Sequence, residues 1–142
     1  MISALRVRDG QALTRSAPSR NTAGYLHLLR AIDQANPGGD VFLIMDNLSS
    51  HTSAPVRAWL ADHTRFTQVP IPTGACWLNL QGGWWRLFRR AACAGQSFAD
   101  AGEIEVARAT ATAQLNRRAT PWVWGRPAPR PRQLRRRLVY LI

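Results

Sequence analysis

The run Val41–Met45, "VFLIM", is the feature that most constrains how this chain folds. Five consecutive apolar residues stand between the turn sequence "NPGG" of residues 36–39 and Asp46. A continuous apolar run bounded by turn signals is typical of a strand that is covered on both faces. Such a strand needs packed layers on each side of its sheet, so we expect a layered α/β domain.

Further strands and helices alternate around this run, which strengthens the α/β prediction. The Asp9-Gly10 pair between two short runs predicts a hairpin. Apolar residues at helical spacing predict a helix over residues 21–36, with Tyr25, Leu28, Leu29 and Ile32 on its buried face. The other predicted elements are a short helix after Ser53, a strand over 66–71 that ends near Pro70, and helices over 84–92 and 101–118.

Charge and composition narrow the classes of partner. The chain carries 19 basic residues, all arginine, against 8 acidic ones, for a net charge of +11. This excess favours a polyanion, most often nucleic acid. No run approaches the ~20 apolar residues of a membrane span, and Arg6 interrupts the first apolar run too early for a signal peptide. We therefore expect a cytoplasmic protein without a membrane partner. Cys76 and Cys93 match no metal-binding spacing, and nothing requires them to form a disulfide, which agrees with a reducing compartment.

Asp46 is the first candidate for chemistry, because it follows the apolar strand directly. Ligands bind at the carboxyl ends of strands in open α/β sheets. A carboxylate at this place can ligate Mg²⁺, which prefers oxygen ligands. The alternative is an aspartate that only caps the turn "DNLSS". His51, a few residues on, could orient a phosphate or cap the next helix.

Two long segments carry a resemblance to a known family. They are "VFLIMDNLSSHTSAPVRAWLADHTRFTQVPIPTGACWLNL" and "FADAGEIEVARATATAQLNRRATPWVWGRP". They resemble the catalytic domain of bacterial insertion-sequence transposases of the mariner superfamily, within the wider DDE group. The resemblance extends over nearly the whole chain. Its most specific parts are Asp46-Asn47 with His51, the loop "PTG…WLN", and Asn116 with Pro121, Trp122 and Trp124.

This resemblance implies a ribonuclease H-like fold and three carboxylates that hold two divalent metal ions, usually Mg²⁺, for DNA cleavage and strand transfer. Asp46 matches the second acid and is therefore the predicted metal ligand. The third acid, a glutamate, belongs at Gly82, with 35 residues between it and Asp46. A helix that opens Gly-Gly is unfavourable, whereas a glutamate there would complement the helix dipole. We interpret Gly82 as a vacated acid position; the alternative is a glycine that permits close approach of DNA or another strand.

The first acid of the resembled family lies on a first strand, central in the sheet, that precedes the hairpin. This chain starts at what matches the second strand, and Asp9 lies in the hairpin turn at the wrong end for that role. We therefore predict a ribonuclease H-like sheet that lacks its first strand. Residues 1–125 would form a partial DDE transposase catalytic domain, followed by an arginine- and proline-rich tail over 126–142.

Two groups of arginines are candidates for nucleic-acid binding. One lies on the helix with Trp84 and Trp85, where arginine and aromatic side chains suit backbone and stacking contacts. The alternative is a pair of core tryptophans beside a solvated face. The second group lies in the tail, which would be extended and would either bind phosphates or remain solvated. The candidates are Arg86, Arg89, Arg90, Arg135, Arg136 and Arg137.

The sequence thus predicts a truncated DDE transposase domain, which descends from enzymes that act on DNA. With one matching acid of three, we expect this chain to be inactive as a nucleotidyltransferase and its Mg²⁺ binding to be weak or lost. The alternative is a non-catalytic nucleic-acid-binding fragment, or an inhibitor that pairs with a full-length transposase or with itself.

Overall fold

The described residues form a mixed α/β structure with one five-stranded sheet. The computed structural model describes residues 1–19, 21–75, 78–123 and 138–142. Its elements are β1 (Ile2–Arg6), β2 (Ala12–Arg15), α1 (Thr22–Ala35), β3 (Val41–Met45), α2 (Ala54–Asp62), β4 (Phe66–Pro70), α3 (Gln81–Cys93), α4 (Ala101–Arg117) and β5 (Leu138–Leu141). A short 3-10 turn over Ser49–His51 precedes α2.

The predicted hairpin is confirmed. Strands β1 and β2 pair antiparallel, with Ile2 opposite Arg15. Gly10 has a positive φ of 74°, and a Cβ there would collide with the main-chain oxygen of Thr120, so only glycine fits the turn. Asp9 forms an ion pair with Arg6 at 2.6 Å and accepts a hydrogen bond from the Gln11 amide. This aspartate therefore holds the turn together.

The alternating middle of the chain also folds as predicted. Helix α1 buries Tyr25, Leu28, Leu29 and Ile32 against the sheet. Strand β3 coincides with the apolar run, and β4 pairs with it in parallel. Strand β4 lies at an edge and ends at Pro70, where the missing amide proton costs the sheet no hydrogen bond.

The centre of the sheet differs from the prediction. The strand order is β2-β1-β5-β3-β4, and β5 pairs antiparallel with β1 and parallel with β3. We expected the loss of the first strand to leave the centre of the sheet without a strand, but β5 occupies that position. The sequence analysis assigned residues 138–142 to the tail, whereas Leu138–Leu141 form β5, for which "LVYL" is suitably apolar. Residues 126–137, for which an extended conformation was predicted and which include Arg135, Arg136 and Arg137, lie outside the described residues.

Strand β5 contributes to the core on both faces of the sheet. Tyr140 is 1% exposed and packs in the cluster with α1, while Leu141 is fully buried in the cluster with α3 and α4. The Tyr140 hydroxyl accepts a hydrogen bond from Asn36 Nδ2 at 2.5 Å. The strand is thus an integral part of the fold.

Helix α4 covers the outer edge of β2. The Asn116 side chain accepts a hydrogen bond from the Ala12 amide at 2.8 Å and donates one to the Ala12 carbonyl at 2.9 Å. This side-chain amide replaces a neighbouring strand and closes the edge to further pairing. The predicted inner face of α4 is right only in its second half, since Ala111 is buried but Ile104 is 41% exposed.

Candidate functional site

A cavity of about 300 Å³ opens at the carboxyl end of β3, where the sheet meets the first turn of α3. Asp46 and Gly82, the two candidate catalytic positions, both line it. Ile142, which follows β5, lines it as well. The fold thus brings together the places that the sequence predicted, at the edge of the sheet where α/β proteins bind ligands. The further lining residues used below are Tyr25, Leu28, Leu48, His51, Asn79, Gln81 and Trp85.

Asp46 stands at the mouth of this cavity, with a side chain that is 57% exposed. His51 lies behind it and is 5% exposed. The His51 Nδ1 is 3.0 Å from the Asp46 main-chain oxygen and 3.4 Å from its carboxylate. The ring of Tyr25 packs on the imidazole with 4.2 Å between centroids. His51 is therefore anchored to the strand end and does not cap α2 with its ring, and its other predicted role, orienting a phosphate, stays a prediction.

Tyr25 connects the cavity wall to the hydrophobic core. Burial raises the pKa of its hydroxyl to about 12, against a hydrogen bond from Gln68 that lowers it. That bond is 3.1 Å long, and the hydroxyl also contacts the Met45 sulfur at 3.3 Å. The group is neutral at physiological pH and serves as a fixed, uncharged wall.

Asn79 joins two sides of the cavity. Its Oδ1 accepts a hydrogen bond from the Gln81 amide at 3.0 Å, in the first turn of α3. Its Nδ2 donates to the Ile142 carbonyl at 3.1 Å, just beyond β5. Asn79 thus fixes the start of α3 against the end of the central strand. The sequence marked this residue only as part of the "WLN" loop; its contact with Ile142 follows from the position of β5, which the sequence did not reveal.

The two glycines that open α3 differ in their surroundings. A Cβ at Gly83 would lie 2.9 Å from the ring of Trp122, so a larger residue there would displace that side chain. A Cβ at Gly82 would meet no described atom within 4 Å. Close approach of another strand therefore does not explain Gly82. The residue leaves open space beside Asp46 where a longer side chain would fit.

The donors of this cavity do not fit a two-metal site. Two divalent ions need several carboxylates to offset their charge and to fix in-line geometry, and Asp46 supplies the one carboxylate side chain among the lining residues. The described part of the chain contains no group of three or more histidine, cysteine, aspartate or glutamate side chains that could hold a metal ion. Gln81 adds a neutral amide that is 3% exposed, whose Nε2 donates to the Ser3 hydroxyl and whose Oε1 has no partner among the described residues.

The arginine face of α3 begins at the cavity. Arg86, Arg89 and Arg90 are exposed, and none of them belongs to an ion pair within the described ranges. Trp84 is 2% exposed and packs against Phe88, so it belongs to the core. Trp85 is half-buried and reaches the cavity. The two tryptophans therefore have different surroundings, and one of them remains available to a ligand.

None of the described helices has both the length and the apolar character needed to cross a bilayer.

Comparison with known proteins identifies the family. No curated protein and no solved structure matches the chain. A family model described as "DDE superfamily endonuclease" matches residues 1–105, well over half of the sequence, and this range includes Asp46, Gly82 and the arginines of α3. The chain belongs to the family of DDE superfamily endonucleases.

Proposed function

We propose that this chain is a partial catalytic domain of an insertion-sequence transposase of the mariner superfamily, which binds DNA and does not cleave it. The sheet order supports a ribonuclease H-like core, because an antiparallel hairpin and a parallel pair flank one central strand. The cavity supports the site, because Asp46 and Gly82 line it together.

The observation that carries the loss of catalysis is the single carboxylate side chain at this cavity. Metal-dependent phosphodiester cleavage uses two ions to stabilise the attacking and leaving oxygens. The Asp46 side chain alone cannot bridge and neutralise such a pair, Gly82 has no side chain, and the side chain of Ile142 is apolar. Mg²⁺ binding is therefore weak or lost, and no cleavage step is assigned to this chain.

DNA binding is supported by charge. The net charge is +11, and the exposed arginines of α3 have no carboxylate partner within the described structure. Unpaired guanidinium groups are free to contact phosphates and to release condensed counterions. The expected binding is indifferent to sequence, since phosphate contacts position a protein without reading bases.

The test is a salt titration of binding to a duplex of arbitrary sequence. Each neutralised phosphate contributes a slope of about −0.9 in log K against log salt. The triple variant Arg86→Gln, Arg89→Gln, Arg90→Gln should flatten the slope by up to ~2.7. The matched control is Arg30→Gln, an exposed arginine of α1. Affinity that stays constant between ~50 and ~200 mM salt would contradict the proposal.

The arginines at positions 135–137 need a different experiment. Deleting residues 126–142 would also remove β5, and the sheet would lose its centre. Substituting Arg135, Arg136 and Arg137 by glutamine keeps the strand and removes only the charge. A slope that becomes shallower in this variant would assign phosphate contacts to this segment.

A further inference from the structure

We propose that the cavity beside Gly82 takes one unpaired base of single-stranded DNA. The inference rests on the proposed DNA binding and adds the kind of nucleic acid and the part of it that enters the protein. The proposed loss of a catalytic acid gives no role to the open space at Gly82. A bound base would fill that space.

The geometry of α3 supports this occupant. Gly82, Trp85, Arg86 and Arg89 stand at positions i, i+3, i+4 and i+7, so they share one stripe of the helix. Gly82 and Trp85 line the cavity, and the two arginines continue the stripe into solvent. A strand whose phosphates contact Arg86 and Arg89 therefore passes the mouth of the cavity.

The walls suit a flat aromatic ring. Trp85 is half-buried and supplies aromatic surface, and the exposed Leu48 supplies apolar surface, whereas Tyr25 and Leu28 are buried. Proteins that bind single strands combine such stacking surfaces with a positively charged path for the phosphates. The space comes from Gly82, where a Cβ would have no neighbour within 4 Å. A paired base stays within its own stack, so a duplex cannot use the cavity without extruding a base.

The Asp46 carboxylate is exposed at the cavity and accepts hydrogen bonds. Each of the four bases has a donor on its Watson–Crick edge, which is an amino group in adenine, cytosine and guanine and a ring N–H in thymine. An unpaired base of any kind can therefore donate to this carboxylate, and stacking is equally tolerant of base identity.

The experiment measures binding of labelled oligonucleotides by fluorescence anisotropy. The probes are a single strand with one adenine or cytosine in an abasic background, the same strand with one thymine, and a blunt duplex. Gly82→Leu fills the cavity and keeps every arginine. Gly38→Leu is the matched control, because that glycine also has no neighbour within 4 Å and lies in the turn before β3, at the opposite end of the strand from Asp46.

Gly82→Leu should weaken binding of the single strand by roughly 5- to 150-fold, the contribution of one stacked base. Binding of the duplex should not change, and Gly38→Leu should behave as the parent chain. The strands with adenine, cytosine or thymine should bind with similar affinity, because stacking is tolerant of base identity.

Equal single-strand affinity for the parent chain and Gly82→Leu would overturn the inference. If the salt dependence of duplex binding persists in that case, the proposed DNA binding stands and only the base site fails. If neither probe binds at any salt concentration, both fail together.

Discussion

The centre of the sheet and the cavity at its edge differ in how completely their positions are filled. The central position is filled by β5, which comes from the far end of the sequence and buries Tyr140 and Leu141 almost completely. At the cavity, of the two acid positions assigned by resemblance, Asp46 has a carboxylate and Gly82 has no side chain. The central position is therefore occupied and packed, whereas the cavity has one carboxylate side chain.

The difference follows from what each region demands of a side chain. A buried strand needs apolar residues of suitable volume and main-chain groups that can pair, and many sequences meet that demand. A metal pair needs carboxylate oxygens at defined points, which no apolar or neutral residue supplies. The packing of this fold therefore tolerates replacement, and its chemistry does not.

The largest expected effect tests whether β5 belongs to the core. Leu141→Ala should lower the free energy of unfolding by about 2–5 kcal/mol, because it leaves a cavity in a fully buried cluster. Leu87→Ala is the control, since Leu87 is 47% exposed and its truncation should cost under ~0.5 kcal/mol. The measurement is urea denaturation followed by circular dichroism. Equal midpoints for both variants would mean that β5 does not hold the centre of the sheet.

The second effect tests whether Tyr25, which lines the cavity, is also part of the hydrophobic core. The pKa of Tyr25 is raised by burial to about 12 in the folded chain, so the folded state keeps its proton at a pH where the unfolded state has lost it. Stability should therefore fall by up to roughly 3 kcal/mol as the pH rises from about 10 to about 12. Tyr25→Phe should remove much of this dependence in denaturation curves across that range. An unchanged alkaline slope would place the Tyr25 hydroxyl in solvent.

A smaller effect tests whether Gly82 is a vacated acid position. Gly82→Glu should stabilise the chain slightly, since it lowers the entropy of the unfolded state by ~0.4–1 kcal/mol. A carboxylate in the first turn of α3 adds ~0.3–1 kcal/mol. Repulsion from Asp46 opposes both gains. Mg²⁺ should relieve that repulsion and raise the melting temperature of this variant more than that of the parent. A variant that is destabilised and insensitive to Mg²⁺ would show that Gly82 is not that position.

Much of the fold was predictable because local patterns decided it. The apolar run Val41–Met45, the Asp9-Gly10 turn and the face of α1 each lie where the sequence placed them. Strand β5 was missed because four residues contain too little pattern to stand out after a segment rich in arginine and proline, and because its partners, β1 and β3, are distant in sequence.

The candidate site was predictable only in part. Asp46 follows a strand, and the loop resemblance located Gly82, so both positions could be read from the chain. The separate requirements of Gly82 and Gly83 could not, because they depend on where Trp122 packs. The contact between Asn79 and Ile142 was equally hidden, since it exists only when β5 occupies the centre.

We propose that the frame of a DDE nuclease persists here without its metal chemistry. The measurement that tests it most directly is nicking of supercoiled plasmid by the purified chain in Mg²⁺ and in Mn²⁺, beside an Asp46→Ala variant. The account predicts no metal-dependent nicking by either chain, because one carboxylate cannot hold the two ions. Metal-dependent nicking by the parent chain that disappears in Asp46→Ala would contradict it.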